Sequence, residues 1–516
     1  MIAEAKRTQI IKPANLQKLG FVPQNTIDDI NAASAKIRSA QQIWQQKSFR
    51  ERGTHLKKMR RFLASHGQEF AEQISRDNGK TVQDAYLTEI LPGILALDYY
   101  IKHTERVLKP RSIKGSHIFS SYKSNLLQHV PFGVVGIISP WNYPFAIPFS
   151  EIIMALAAGN GVLFKGASET IMVNQVLLRV VRSGDLPHDL FIPVHMDGKT
   201  AGKAFLQSGI DKLFFTGSVG VGKILMGLAS ETLTPVSLEL GGNDAMIVFD
   251  DAQVKRAVNG AIWAGFQNAG QSCGGVERIY VHESILDDFL NQLKTKLESL
   301  KVADSEREWA DIGSLTTAKQ VETVKNHIKE AISKGARIHA KGRINGEAGY
   351  FLEPTVLTNV TNDMLIMQEE SFGPVVTVCS FSDEKSVIKE ANDSIYGLTA
   401  SVWTRNRRRG KRVATQLEAG VITINDHLMT HGMPGLPWGG FKQSGIGRTH
   451  GEFGLLEMTQ PRAIVFDYLP LSKLPYWLPV SKSMYYRFVG AGMLIGGDLV
   501  TRLKGAIKLI FGISLK

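Results

Sequence analysis

Cysteine is nearly absent from this chain. Two residues among 516, Cys273 and Cys379, exclude a disulfide framework and fit a reducing compartment. The 13 histidines show no HExxH or comparable metal-ligand spacing, so no metal is expected. The opening MIAEAKRTQIIKPANLQ lacks the apolar h-region of a secretory signal, which makes cytoplasmic placement the expectation. No zinc-knuckle, basic-zipper or RNP-like aromatic motif accompanies the net charge of +12. Nucleic acid is therefore not the expected partner. The charge suits a membrane surface or a phosphorylated cofactor instead. Scarcity also makes Cys273 conspicuous, because it sits in GQSC among Gly, Gln and Ser rather than in an apolar run.

What is present describes a globular protein, 43% hydrophobic and 21% charged, too long for one core. The first hundred or so residues read as amphipathic helices, TIDDINAASAKIRSAQQIWQQ and SFRERGTHLKKMRRFLASHG, each with a Ser/Thr cap. From Asn125 onward, short apolar runs alternate with helical ones: LLQHV and GVVGIISP, then GVLFKG, FIPVHM and DKLFFTG. A second series runs DAMIVFDD, RIYVHES, VVTVCSF, ASVWTRN and GVITIND. Continuous apolar strands separated by helices predict parallel sheets covered on both faces. Two doubly wound α/β domains are expected, with the boundary near Gly241–Gly242.

Several residues carry potential chemistry, and each has a structural alternative. The turn FFTGSVGVG places Gly217, Ser218, Gly220 and Gly222 between a strand and a helix, where backbone N–H groups favour a phosphate. Its G-x-x-G-x-G spacing is not the dinucleotide fingerprint, and a tight packing turn would look the same. Lys165 ends another strand, on the side where doubly wound sheets bind ligands; a solvated lysine is the alternative. Asn142, in ISPWNYPF, could donate to an oxyanion or simply serve its turn. Glu239, ending the apolar run LEL, suits a general base of raised pKa or a paired structural carboxylate. QEESFGPV joins Glu369, Glu370 and Phe372 at a Gly-Pro turn, which could equally be a capped, solvated one.

Taken in order, PWNYPF, GNGVLFKGASET, FTGSVGVG, LELGG, NAGQSC, EPTV, EESFGPV and PWGGFKQSGIGRTHGEFGL resemble the aldehyde dehydrogenase superfamily from about Ile27 to Tyr468. LELGG followed by GQSC at this separation is specific to that superfamily. The resemblance implies that Cys273 is the nucleophile, that Asn142 and the Cys273 N–H hold the oxyanion of a thiohemiacetal, and that Glu239 activates water against the thioester. It implies NAD or NADP as cofactor, with Trp141, Lys165, Ser168, Gly217, Ser218, Gly222, Glu370 and Phe372 in its site. Two departures stand out. Ser168 occupies the usual place of an acid three residues after the lysine; a serine would not repel a 2′-phosphate, and the adjacent Glu169 only partly restores preference for NAD. Asn243 replaces the common lysine after LELGG, without an account at this level.

The implied division is a cofactor-binding domain over 1–111 and 132–241, oligomerisation strands over 112–131 and 459–468, a catalytic domain over 242–458, and a tail over 469–516. A homodimer or homotetramer is implied. The expected reaction is NAD(P)-dependent oxidation of an aldehyde to an acid. A CoA-acylating relative and a catalytically silent membrane-associated protein of the same fold are the alternatives; Glu239 argues against the first and the intact site against the second. Ser150, where relatives for small aldehydes carry a bulky aromatic, suggests a wide apolar entrance for long-chain or aromatic aldehydes. In the tail, FVGAGMLIGG is about half the ~20 residues that span a bilayer. LVTRLKGAIKLIFGISLK sets Leu499, Leu503, Ala506, Ile507 and Ile510 on one stripe, with Lys504 and Lys508 opposite. With Tyr476, Trp477, Tyr485 and Tyr486 upstream, it suits peripheral contact with an anionic membrane face, or packing on a partner subunit.

Overall fold

Five-residue apolar runs become the strands of two mainly parallel sheets in the computed structural model. The model describes residues 6–114, 122–306, 308–345, 348–469 and 471–514. Contacts divide the chain into one unit of residues 1–109 and 128–462, and another of 110–127 and 463–516.

The first unit holds both large sheets. One is ordered Gly445–Ile446, Val236–Glu239, Lys212–Thr216, Val134–Ile138, Gly161–Lys165, Phe191–Val194, with only Gly445–Ile446 antiparallel. Its three central strands are buried along their whole length, which is why they read as unbroken apolar runs. Helices Ile27–Trp44, Gly198–Gln207 and Val219–Ser230 cover one face, and Phe49–Asn78, Leu91–Leu108, Ala146–Ala158 and Val173–Arg182 the other. The two long N-terminal helices start at capping boxes, Thr26 with Asp29 and Ser48 with Glu51.

The other sheet is ordered Arg337–Lys341, Thr355–Thr358, Val375–Phe381, Val276–His282, Asp244–Val248, Thr399–Trp403, Val421–Ile424. The chain passes from one sheet to the other between Glu239 and Asp244, across Gly241–Gly242. It returns at Gly445, which pairs with Glu239, so the segment 242–458 is not confined to the second sheet.

Two local readings need correction. Residues before Ile27 are not helical: Arg7–Ile11 and Lys18–Pro23 form an antiparallel pair, whose alternating exposure hides the pattern. LLQHV does not join the parallel sheet; it lies in Lys123–Pro131, the middle strand between Thr459–Asp467 and Arg111–Ile113. Part of the expected 112–131 arm lies outside the described residues. In the second unit the tail forms two helices, Lys482–Gly496 and Leu499–Phe511, capped by Ser481 and Asp498. No helix among the described residues is long and apolar enough to cross a membrane.

Candidate active site

The turn before Cys273 explains its unusual neighbours. Asn268 and Ala269 adopt left-handed conformations, with φ of 53° and 54°, each costing about 1–3 kcal/mol unless held in place. The hold is visible. Asn268 Nδ2 donates to the carbonyls of Asn142 (2.9 Å) and Gln271 (3.1 Å), while its backbone N–H donates to Asp84 (3.2 Å). Gln271 accepts from the Thr316 N–H at 2.9 Å. NAGQ is thus a braced turn that presents Cys273 where two cavities meet. The thiol also touches a small apolar cluster of Leu398, Val421 and Trp438. Burial, with the negative charges of Glu370, Asp244 and Glu239 nearby, pushes the thiol pKa up, so it is protonated in the free protein.

A buried network fixes the Trp141–Asn142 loop against this turn. Asn78 Nδ2 donates to the Trp141 carbonyl at 2.7 Å. Lys80 Nζ donates to the Asn142 carbonyl at 2.8 Å and pairs with Glu89 at 2.6 Å, both side chains fully buried. Glu89 also accepts the N–H groups of Phe145 (2.7 Å) and Ala146 (3.1 Å). It sits on the π-helical turn Tyr86–Ile90, a local insertion that often marks functional sites. Asn142 Nδ2 donates to the Gln271 carbonyl at 3.1 Å, which brings the amide beside Cys273. Lys80, Glu89 and Asn268 were not legible as site residues, because their partners lie far along the chain.

LELGG owes its glycines to neighbours on both sides. A methyl group on Gly241 would collide with the Glu370 carboxylate, and one on Gly242 with the Cys273 carbonyl oxygen. Gly242 N–H donates to Glu370 at 3.0 Å. Asn243 now has a physical account: its Nδ2 donates to the Glu369 carbonyl at 2.8 Å, tying down the segment that carries Glu370. Buried Glu277, also missed, accepts the N–H groups of Ser371 (2.9 Å) and Phe372 (2.8 Å). It thereby holds Phe372 at a φ of 51°, edge-on to Trp141 with ring centroids 5.4 Å apart. Glu239 is buried, with Oε2 unpartnered. Its pKa is raised by burial and by Glu151 and Glu457, against Arg448.

The larger cavity, about 390 Å³, is lined by Trp141, Asn142, Gly217, Ser218, Glu239, Cys273, Glu370 and Phe372, and its size is that of a ligand pocket. Ser218 precedes helix Val219–Ser230 without capping it through its side chain. The free first-turn N–H groups are therefore available to an anion, and the residues present fit a dinucleotide. Three expected cofactor residues are not on this lining. A methyl group on Gly222 would press on Leu240, so the glycine lets the helix lie close to the strand end. Lys165 is buried at its strand end, its pKa lowered by burial against Glu169 and Asp197. Ser168 is half-buried, and the neighbouring Glu169 faces the cavity in its place.

The second cavity, about 70 Å³, is an apolar channel reaching Cys273 between Pro92, Ile147, Trp263, Leu428, Met429 and Trp438. Ser150 is not on it; it lines two smaller inner spaces with His431 and His450. The entrance is apolar, as expected, but narrow. The Aldehyde dehydrogenase family profile matches residues 2–464. A 4,4'-diapolycopene aldehyde oxidase from Methylomonas sp is 37% identical, over 95% of this chain and 91% of that protein. A succinate semialdehyde dehydrogenase from Acinetobacter baylyi is 32% identical, over 90% and 94%. The structure of a Bacillus cereus aldehyde dehydrogenase in complex with NAD+ matches with a TM-score of 0.85 at 34% identity, covering 90% of this chain and 94% of that one. With a cysteine between a dinucleotide-sized cavity and an apolar channel, and these likenesses along nearly its whole length, the chain belongs to the aldehyde dehydrogenase family and oxidises aldehydes to carboxylic acids with NAD or NADP.

Proposed function

We propose that Cys273 is the nucleophile, Asn142 with the Cys273 N–H the oxyanion hole, and Glu239 the base that activates water for deacylation. The observation that carries this reading is the convergence of Cys273, Asn142 and Glu239 on one cavity wall. The Cys273 thiol loses its proton to water in the larger cavity, its sulfur adds to the aldehyde carbon as the C=O π bond opens, and the Asn142 amide, held by the Lys80–Glu89 network, meets the oxyanion. Each such donor is worth about 2.7–4 kcal/mol in the transition state. NAD(P)+ bound in the larger cavity supplies the hydride acceptor and a positive charge that opposes the carboxylates around the thiol. Glu370 and Phe372 would hold the bound cofactor, and the turn at Gly217 and Ser218 would take its phosphates. Glu239 then takes a proton from water, hydroxide adds to the thioester carbon, and the Cys273 thiolate leaves. A base poised for water favours hydrolysis over transfer to CoA. Cys273→Ala should abolish aldehyde-dependent NAD(P) reduction in the absence of CoA while leaving cofactor binding nearly unchanged. Retention of a few per cent of activity refutes the nucleophile.

The substrate this site favours is an uncharged, slender, apolar aldehyde. No Lys, Arg, Asp or Glu lines the channel, so a carboxylate-bearing aldehyde finds no counter-charge there. A chain longer than about 70 Å³ of space allows would extend past Leu87 and Met429, both exposed at the mouth. A series of straight-chain aldehydes should show kcat/KM rising with length; a preference for a short acidic semialdehyde refutes it.

Peripheral attachment to an anionic membrane is part of the same reading. In the tail, Gly490 and Gly505 bring the two helix backbones into direct contact, so small residues fill the crossing and the large apolar ones face outward. Leu499 is 77% exposed and Phe511 63%, with Leu503, Ile507, Ile510, Trp477 and Leu478 also exposed. Lys473, Lys482, Arg487, Arg502, Lys504 and Lys508 accompany them, against a single acid, Asp498. That combination suits an interfacial hairpin on anionic lipid. Deleting residues 470–516 should release the enzyme from anionic liposomes and spare activity on a short aldehyde. If the intact protein never sediments with them and the truncated one dissociates into inactive subunits, the tail is an oligomer clamp. Cytoplasmic placement and a homodimer or homotetramer complete the proposal.

A further inference from the structure

A cavity of about 170 Å³ opens between the start of helix Phe49–Asn78 and helix Leu91–Leu108. It shares no lining residue with the cofactor cavity, the apolar channel or the inner spaces around Ser150. Phe49, Leu56, Tyr100, Ile101 and Ala157 make its walls largely apolar. Arg52 also lines it and is only 5% exposed. A buried cation is normally paired and fully hydrogen-bonded. Arg52 is neither. Among the described residues it forms no ion pair, its Nη1 donates to the Lys47 carbonyl at 2.8 Å, and its Nε has no partner. The Phe49 ring centre lies 4.8 Å from the guanidinium. Burial lowers the Arg52 pKa to about 10, against the charge of Glu51, so the side chain stays charged at neutral pH. Gly53, on the same wall, is a second observation. Inside a helix a glycine costs stability relative to alanine, yet a methyl group here would meet nothing within 4 Å. Packing does not require this glycine; its effect is to leave space beside Arg52.

We infer that this cavity binds a small carboxylate with an apolar body, its charge on Arg52 and its body against Phe49, Leu56 and Tyr100. One buried positive charge balances one negative charge, and the planar guanidinium fork matches a planar carboxylate. The apolar walls suit the remainder of such a molecule better than a hydrated inorganic ion. The volume lies below the ~300 Å³ at which pockets for drug-sized ligands begin, which excludes a nucleotide. Arg50, Lys57 and Lys102 stand exposed along the rim beside Glu105, and Lys102 pairs with Asp98 at 2.6 Å. The first turn of helix Phe49–Asn78 adds its dipole to the attraction. Carboxylic acids are also what the enzyme releases, so its own products belong to the class this second site accepts.

Equilibrium dialysis of 4-fluorobenzoate against the full-length enzyme counts bound equivalents per chain, at up to ~1 mM because so small a ligand makes few contacts. Any equivalent held in the active site is common to the enzyme and its variants. Gly53→Leu fills the cavity and leaves Arg52 in place, whereas Arg52→Gln removes the charge and keeps the cavity. Each should bind one equivalent fewer than the unaltered enzyme. Gly53→Leu should also keep its kcat, because residue 53 lines none of the cavities that reach Cys273. Equal counts in the unaltered enzyme and in Gly53→Leu overturn the site. A full count in folded Arg52→Gln overturns the role of its charge. Two measurements on the unaltered enzyme test that charge even if Arg52→Gln does not fold. Fluorobenzene should leave the fluorobenzoate in place; if it takes the same equivalent, the cavity is merely apolar and the proposal fails. Displacement by an equal concentration of inorganic phosphate would make this a general anion site and overturn the carboxylate assignment.

Discussion

Lys80 and Glu89 form a fully buried ion pair at 2.6 Å, and the consequences of breaking it can be worked from its contacts. Lys80→Met leaves the Glu89 carboxylate without its counter-charge among apolar neighbours. Glu89→Gln leaves the Lys80 ammonium with the Asn142 carbonyl at 2.8 Å and the face of Tyr143, 4.3 Å from its ring centre. Stranding one member of such a pair costs about 3–5 kcal/mol. The double substitution strands neither charge. It keeps an amide acceptor for the N–H groups of Phe145 and Ala146, and Asn268 still donates to the Asn142 carbonyl, so its cost should be about 1–3 kcal/mol. The two single costs should therefore exceed the double cost by more than ~3 kcal/mol, far from additive. Denaturant midpoints at constant m value measure this. Activity should not recover in parallel, because Asn142 has lost its lysine and a displaced oxyanion donor is worth about 2.7–4 kcal/mol in full. We expect kcat in the double variant at least ~10-fold below wild type, with a smaller change in cofactor affinity. Additive stabilities, or a double variant with wild-type kcat, would refute the view that this pair positions the loop.

Gly242→Ala places a methyl group against the Cys273 carbonyl oxygen and 3.0 Å from the Asp244 carboxylate. We expect a loss of about 1–3 kcal/mol in stability and kcat reduced about 100-fold by a misplaced thiol; native kinetics would contradict the close approach. Asn243→Leu removes the donor to the Glu369 carbonyl and should raise the cofactor KM more than it lowers kcat, which steady-state kinetics can separate. Burial raises the carboxyls of Asp77 and Glu277 to about 7 and that of Glu151 to about 8. The folded chain thus holds these protons more tightly than the unfolded one. Their contribution is full below about pH 4 and is lost as pH rises through 7–8. Denaturant midpoints should fall between about pH 4 and 8 and level off above; a steady rise over that range would show that these three do not dominate.

Local pattern was enough to read the central strands, since each of those is a continuous buried run, and the caps at Thr26 and Ser48, whose chemistry is completed within three residues. The order of short motifs likewise pointed to Cys273, Asn142, Glu239 and Glu370 as candidates, which line one cavity, because those segments carry their residue types whether or not the chain is folded. Only the tertiary structure could reveal that Lys80 holds the Asn142 carbonyl across 62 positions, or that Glu277 turns Phe372 across 95. A lysine or glutamate inside a helix or strand announces no partner, and burial of charge is a property of the assembled core. The same limit explains why Glu169 rather than Ser168 faces the larger cavity, and why Ser150 faces the inner spaces rather than the channel. Which way a side chain points depends on how helices roll against the sheet, and that is decided by packing along the whole unit, not by the few residues around it.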